Sequence, residues 1–448
     1  MLDHAARWAV ATRRSRLPDD RLHHAKRAVV DWFAAVVPGA GMAPARTLTA
    51  ALVDGSEGGR ATLLPGGPTA PMRTAALINA TAAHSAEVDD IFRDGVYHPG
   101  APTIAAALAV AQERGYDGDV FLRAVVVGYE LSTRISARIQ PAHYRYWHTT
   151  GTVGTLGAAA AVASLLDVDE DAFAHAVTTS TTMAAGLQQA FRSDAMSKPL
   201  HAGHAADAGT LAALAAAKGF TGVPSILDGE AGFGAAMSDA PSWDGIFEDL
   251  DEVANVARIT FKNHTCCGHT FAAIDAALEL RDVIGTDLDR ISRIDVETYA
   301  AALRVAGIAA PRTGYEAQFS LAYTVVAALR LGSVRLAAFD DDNLHDPEIT
   351  SVLERVHLTV DDELDAAFPR QRGARVRIEL TDGTRHVSFR PTRRGDPDLP
   401  LTDEELDAKF RELVAPTLGK EATDELAQVL WHLEKQPDLT SLLPTRGW

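Results

Sequence analysis

Residues 149–166 carry no formal charge, yet they include three glycines, four threonines and few large aliphatic side chains. A membrane-spanning helix needs predominantly large apolar residues over about 20 positions. Small side chains over several turns instead mark a buried helix that its neighbours approach closely. Three further stretches are dense in alanine, free of proline and followed by glycine: 103–114 before Gly115, 200–218 before Gly219 and 270–284 before Gly285. Alanine favours the helix interior and glycine suits its C-terminal stop. Several such helices in one chain predict a mainly α protein.

Each of these helices begins beside a titratable or cationic side chain: His98, His148, Lys198 and His269. His98 and Lys198 both precede a proline, which pushes them toward extended backbone ahead of their helices. Helix N-termini favour anions. One such residue alone is more often a cap or a satisfied histidine. Four together suggest helix starts converging on an anionic ligand, with side chains able to move protons. The helix expected over 72–87 adds Glu87, Asp89 and Asp90 near its C-terminal end, where the helix dipole disfavours carboxylates, so these acids need partners or a purpose.

The remaining elements divide the chain. A helix is expected over 18–37, ended by Pro38-Gly39, and another starting at Asp117 or Asp119. After Arg258 the pattern changes: 290–299 and 355–360 alternate like half-buried strands, and 375–380 and 385–389 flank the turn Thr381-Asp382-Gly383-Thr384. A helix over 318–331 lies between them. Thr402-Asp403-Glu404-Glu405 is a capping box that returns the chain to helix. The expected architecture is an all-helical domain from 1–257 and 398–448, with a smaller α+β domain, 258–397, inserted as a lid.

With 448 residues, 42 Lys plus Arg and 60 Asp plus Glu, the formal net charge is −18, which argues against nucleic acid or an anionic membrane as partner. The first residues lack a signal-peptide pattern, and two adjacent cysteines cannot frame disulfides, so a cytoplasmic protein is expected. Gly151-x-x-Gly154-x-x-Gly157 lacks dinucleotide-loop spacing and a preceding strand, which leaves helix packing. His264, Cys266, Cys267 and His269 are metal-competent but lack a second spaced pair, so no metal is expected; a metal-dependent hydrolase built on them is the alternative of a different class.

These segments resemble the MmgE/PrpD family, which includes 2-methylcitrate dehydratase, cis-aconitate decarboxylase and iminodisuccinate epimerase. The resemblance rests on Ala82-Ala83-His84-Ser85-Ala86-Glu87-Val88-Asp89-Asp90 with His98-Pro99-Gly100, and on Ser197-Lys198-Pro199-Leu200-His201-Ala202-Gly203. It extends to Phe261-Lys262 with Cys267-Gly268-His269-Thr270 and to Gln318-Phe319-Ser320-Leu321-Ala322-Tyr323. It implies a homodimer and an interdomain active site needing neither metal nor organic cofactor. It points to His98, His148, Lys198, His269 and Tyr323 as catalytic. Glu87, Asp90, Arg93 and His201 are candidates for binding substrate. Where relatives often carry Asp-Asp-Thr, this chain reads Asp89-Asp90-Ile91, so the substrate-facing loop differs.

The expected activity is that of a dehydratase-type lyase on a small di- or tricarboxylate, with epimerase or isomerase chemistry next and decarboxylation third. One of His98 and His148 would be the base. Lys198 would bind a carboxylate or stabilise a carbanion, and His269 and Tyr323 would protonate or orient the leaving group.

Overall fold

The structure is a computed structural model that describes residues 1–53, 58–192, 195–440 and 442. It is mainly α-helical and divides into two compact units: Met1–Thr260 with Thr402–Trp448, and Phe261–Leu401. Ser193 and Asp194, which lead into the Lys198 segment, lie outside the described residues.

In the first unit the helix Thr149–Leu165 is buried at every position. It packs against Gly100–Arg114, Gly118–Arg138 and Ser197–Ala216. The glycines permit this closeness. A Cβ on Gly154 would lie 2.7 Å from Pro102 Cγ, and one on Gly209 would lie 2.5 Å from the Thr155 carbonyl oxygen. Packing, not phosphate binding, accounts for the spaced glycines. Met72–Ser85 packs on Ser197–Ala216, Gly100–Arg114 and Asp19–Ala40, while Asp403–Leu418 returns from the far end of the chain to pack on Asp19–Ala40. The expected capping box at Thr402 and Glu405 is formed.

Three helix boundaries correct the sequence reading. Asp19–Ala40 runs through Pro38, which sits in its last turn. Gly100–Arg114 begins three residues before the expected Thr103, with Pro102 in its first turn, where proline's missing N–H leaves no intrahelical bond unmade. Lys198 is not extended: it lies in the first turn of Ser197–Ala216, and Pro199 follows it inside the helix. The pre-proline preference is steric and modest, and here packing of the following turns overrides it.

In the second unit four strands form one sheet in the order Val356–Val360, Ile291–Thr298, Ala374–Leu380, Arg385–Arg390. The first pair is parallel, Ile294 opposite Val356, and the other two are antiparallel. Ile294, Val296, Val376 and Ile378 face a core completed by Phe271 and Leu280 of Phe271–Ile284 and by Val325 of Leu321–Leu331. The helix expected over 318–331 is broken: Gly314–Gln318 ends, and the Ser320 hydroxyl caps Leu321–Leu331 by accepting from the Tyr323 N–H. Among the described residues no single helix is long and apolar enough to cross a membrane.

Candidate active site

Within the first unit, the end of Met72–Ser85 and the loop after it bring together the acids that helix-dipole reasoning leaves in need of partners. The helix delivers His84, fully buried, and stops at Ser85. Glu87 then takes a left-handed backbone, φ 53°, which turns the chain so that Asp89 comes back beneath His84. The Asp89 carboxylate accepts a 2.7 Å hydrogen bond from His84 Nδ1, and His98 Nδ1 lies 3.3 Å from the same oxygen. Burial is the largest influence and opposes ionisation, yet the charges and hydrogen bonds of His98 and His84 hold the Asp89 carboxyl well below its usual range.

His148 immediately precedes Thr149–Leu165 and is 2 % exposed. Its ring stacks on His84 at 5.3 Å, and its Nδ1 is 3.0 Å from His201 Nδ1. Burial, reinforced by His84, Lys198, His201 and His98, pushes its pKa well below that of free imidazole, so His148 is neutral. His201 is lowered to about 4, chiefly by burial and then by His84, His204 and Lys198. Lys198 reaches across from its own helix to pair with Glu87. The result is a chain of imidazoles, with a carboxylate at one end and an ammonium–carboxylate pair beside it.

His84, Asp89 and His98 place ligand-type atoms within 4.8 Å of one another. At 2.7 Å, however, the His84 nitrogen and the Asp89 oxygen stand at hydrogen-bond distance, closer than two ligands around one tetrahedral ion normally sit. The trio reads as a hydrogen-bonded relay.

Residues 3–245 match the MmgE/PrpD N-terminal domain and residues 264–434 the MmgE/PrpD C-terminal domain. The chain belongs to the MmgE/PrpD family. This is a family of lyase-type enzymes that act on carboxylates. Curated relatives include the cis-aconitate decarboxylase-like protein oryM of Aspergillus oryzae, 26% identical over 97% of this chain and 95% of that protein. The cis-aconitate decarboxylase of Mus musculus is 29% identical over 83% of this chain and 78% of its own. That of Aspergillus terreus is 24% identical over 97% and 94%.

Of the residues singled out in this MmgE/PrpD sequence, the structure gathers Glu87, His98, His148, Lys198 and His201. It does not place Asp90 among groups open to a ligand. Asp90 is buried beneath them, accepting from the Tyr129 hydroxyl at 2.8 Å and from the Gly100 N–H at 3.0 Å, so it pins the start of Gly100–Arg114. Burial, with Asp31 nearby, raises its carboxyl well above the usual range. Arg93 sits in the short turn Arg93–Gly95 beside Asp94, whose carboxylate pairs with Arg258.

His269 and Tyr323 belong to the second unit. His269 Nδ1 is 2.7 Å from the Tyr299 hydroxyl, and burial followed by Arg372, Arg393 and Arg304 lowers its pKa to about 3. The Tyr323 side chain is fully buried, and its hydroxyl donates to the Ala338 carbonyl at 2.5 Å. In this arrangement the hydroxyl proton is held inside the unit's own core. The neighbouring metal-competent residues have separate partners: His264 bonds Asp275, and Cys266, its thiol pushed up by burial, contacts the Thr270 hydroxyl.

Of the two residues central to the cluster, Asp89 stands out in the sequence as an acid in need of a partner, whereas His84 shows only as part of a longer motif. Their signal is the spacing of five, which brings a histidine in the last helical turn back against an acid just past the stop. Lys409 gives no such signal. Fully buried on Asp403–Leu418, it pairs with Asp31 at 2.5 Å and donates to the Val88 carbonyl at 3.0 Å, holding the acidic loop from beneath.

Proposed function

We propose that this protein is a lyase that moves a proton at a carbon next to a carboxylate of a small di- or tricarboxylate, with loss of water as its first reading. The observation that supports this is the pairing of two differently held imidazoles: His98 beside the ionised Asp89, and His148 buried and neutral. Pairs of proton carriers whose surroundings separate them suit the acid and base of an elimination. In this reading one ring takes the proton from carbon while the other protonates the departing hydroxide. Lys198, held ready by Glu87, binds a substrate carboxylate and stabilises the electron-rich species formed beside it.

A second reading is favoured by the relatives named cis-aconitate decarboxylase, one of them aligned over 97% of this chain. There the carbon–carbon bond breaks, carbon dioxide leaves, and the electron pair left behind takes a proton from one of the same imidazoles. The two readings share their machinery and differ in whether the carbon loses or gains the proton. Incubation with a panel of hydroxylated and unsaturated di- and tricarboxylates in deuterated water, followed by NMR and carbon dioxide detection, separates them. Unsaturated product without carbon dioxide supports dehydration; carbon dioxide with deuterium on carbon supports decarboxylation. Absence of turnover and of C–H exchange across the panel overturns both.

A further inference from the structure

The sequence makes His201, one turn inside its helix, a candidate for binding substrate, and its position suits another task. Its Nδ1 faces His148 Nδ1 at 3.0 Å, so one ring donates and the other accepts. His201 also lines a cavity of about 720 Å³ whose lining residues all belong to the first unit, Leu77, Ala185, Leu187, Ala190 and Leu200 among them. The backbone leaves room for the ring. A Cβ on Gly151 would lie 3.0 Å from His201 Cβ, and one on Gly186, where φ is 131°, would lie 3.2 Å from the ring itself. His148 is almost fully buried, whereas His201 is partly exposed, so His201 stands between a buried imidazole and an open cavity.

We propose that His201 is a proton bridge between the cavity and His148, renewing the proton that His148 exchanges with substrate. A proton taken from cavity water at His201 Nε2 releases the Nδ1 proton of His201 to His148 Nδ1, and His148 gives up its own Nε2 proton. One proton enters, one leaves, and both rings end neutral with their tautomers exchanged. The groups facing the pair are His84, His98 and Lys198 around His148, and His84, His204 and Lys198 around His201. Positive charge on any of them disfavours a lasting imidazolium on either ring, which suits passage over storage. The inference rests on the reading of His148 as a proton carrier.

Two measurements on the full chain test it. With ¹⁵N-labelled histidine, NMR coupling across the Nδ1···Nδ1 hydrogen bond is expected in the parent and not in His201→Ala; a parent without it overturns the bridge. On a carboxylate that the parent turns over, His201→Ala is expected to lose roughly 10–100-fold in kcat with KM within about twofold. Added imidazole, small enough for the cavity, is expected to restore several-fold of the loss. His201→Gln keeps a hydrogen bond to His148 but passes no proton, so it should stay slow. Parent-like kcat in His201→Gln, or a slow His201→Ala that imidazole does not accelerate, overturns the bridge in favour of positioning. A raised KM at unchanged kcat overturns it in favour of substrate binding. A parent that turns over no carboxylate refutes the proposed function alone, and the NMR result then decides the bridge.

Discussion

The first and second units each hold a knot of histidines, and the two are wired differently. In the first, His84 and His98 share one carboxylate, His84 stacks on His148, and His148 bonds to a further imidazole, His201. In the second, His264 has Asp275 and His269 has Tyr299, each a separate pair. Shared partners couple protonation states, so a proton gained at one ring is felt at the next. Separate partners hold rings in place. Residue type alone does not distinguish the two arrangements; connectivity does.

The largest expected effect lies at the cationic edge of the coupled knot. Lys198→Ala is expected to fold normally, since the side chain is part-exposed and leaves the helix Ser197–Ala216 unbroken. Turnover should fall by roughly 10²–10⁴-fold, the range for losing one pre-positioned stabiliser. Lys198→Arg should recover little of it if the ammonium stabilises charge at the reacting carbon. If it only anchors a carboxylate, arginine should retain most of kcat and chiefly raise KM. Near-normal kinetics in both variants would remove the lysine from the site.

Next comes the shared carboxylate. Asp89→Asn keeps the shape but offers His84 and His98 a neutral group, one side of which donates. A kcat loss of roughly 10²-fold is expected, with KM changed less, because the rings lose orientation and not substrate contact. The comparison sharpens if His264, deprived of its own acid by Asp275→Asn, leaves kcat close to that of the parent. A comparable loss there would erase the distinction between the two knots.

Much of the first knot is legible in the amino-acid order. The alanine-dense stretches mark the helices, and the four titratable residues ahead of them follow from proline and glycine positions alone; three of the four, His98, His148 and Lys198, lie in one cluster. Connectivity is what the order of residues does not carry. Asp90 and Asp89 are neighbours with identical side chains, and only the left-handed turn at Glu87 decides that one meets imidazoles while the other goes under the helix start. Lys409 is illegible because its partners, Asp31 and the Val88 carbonyl, are hundreds of positions away. For Tyr323, membership of a family motif gives no hint that its hydroxyl points to the Ala338 carbonyl. Three helix boundaries differ from expectation because local preferences of proline are weaker than the packing of whole helices.

A third test uses acidity. His143, outside the relay, is buried with Nδ1 at 2.9 Å from the Met237 carbonyl and Nε2 at 2.7 Å from the Thr152 hydroxyl, and burial lowers its pKa to about 4. The folded state therefore resists protonation that the unfolded chain accepts at its ordinary value of 6.5. Unfolding then takes up protons below that value, so this stability is complete above pH 6.5 and is lost progressively as the pH falls toward 4. The effect of this one residue is of order 3 kcal/mol. His201, His269 and His148 are shifted in the same direction and add to the slope. Denaturant midpoints measured between about pH 7 and pH 4 should fall, and should fall less in His143→Gln. A flat profile would mean that these rings are not held neutral.

The smallest expected effect is at Tyr323. Removing its hydroxyl as Tyr323→Phe leaves the ring in the same core and takes away one donor, so the Ala338 carbonyl loses its partner in a buried setting. A stability cost of about 1–2 kcal/mol follows for the second unit, readable as a lowered melting temperature. Turnover should stay within about twofold of the parent, since the hydroxyl proton is committed to the core and not to a ligand. A kcat loss of roughly 10²-fold at unchanged melting temperature would mean that the tyrosine leaves Ala338 during turnover. The second unit would then supply chemistry as well as support, and the contrast between the two histidine knots would have to be redrawn.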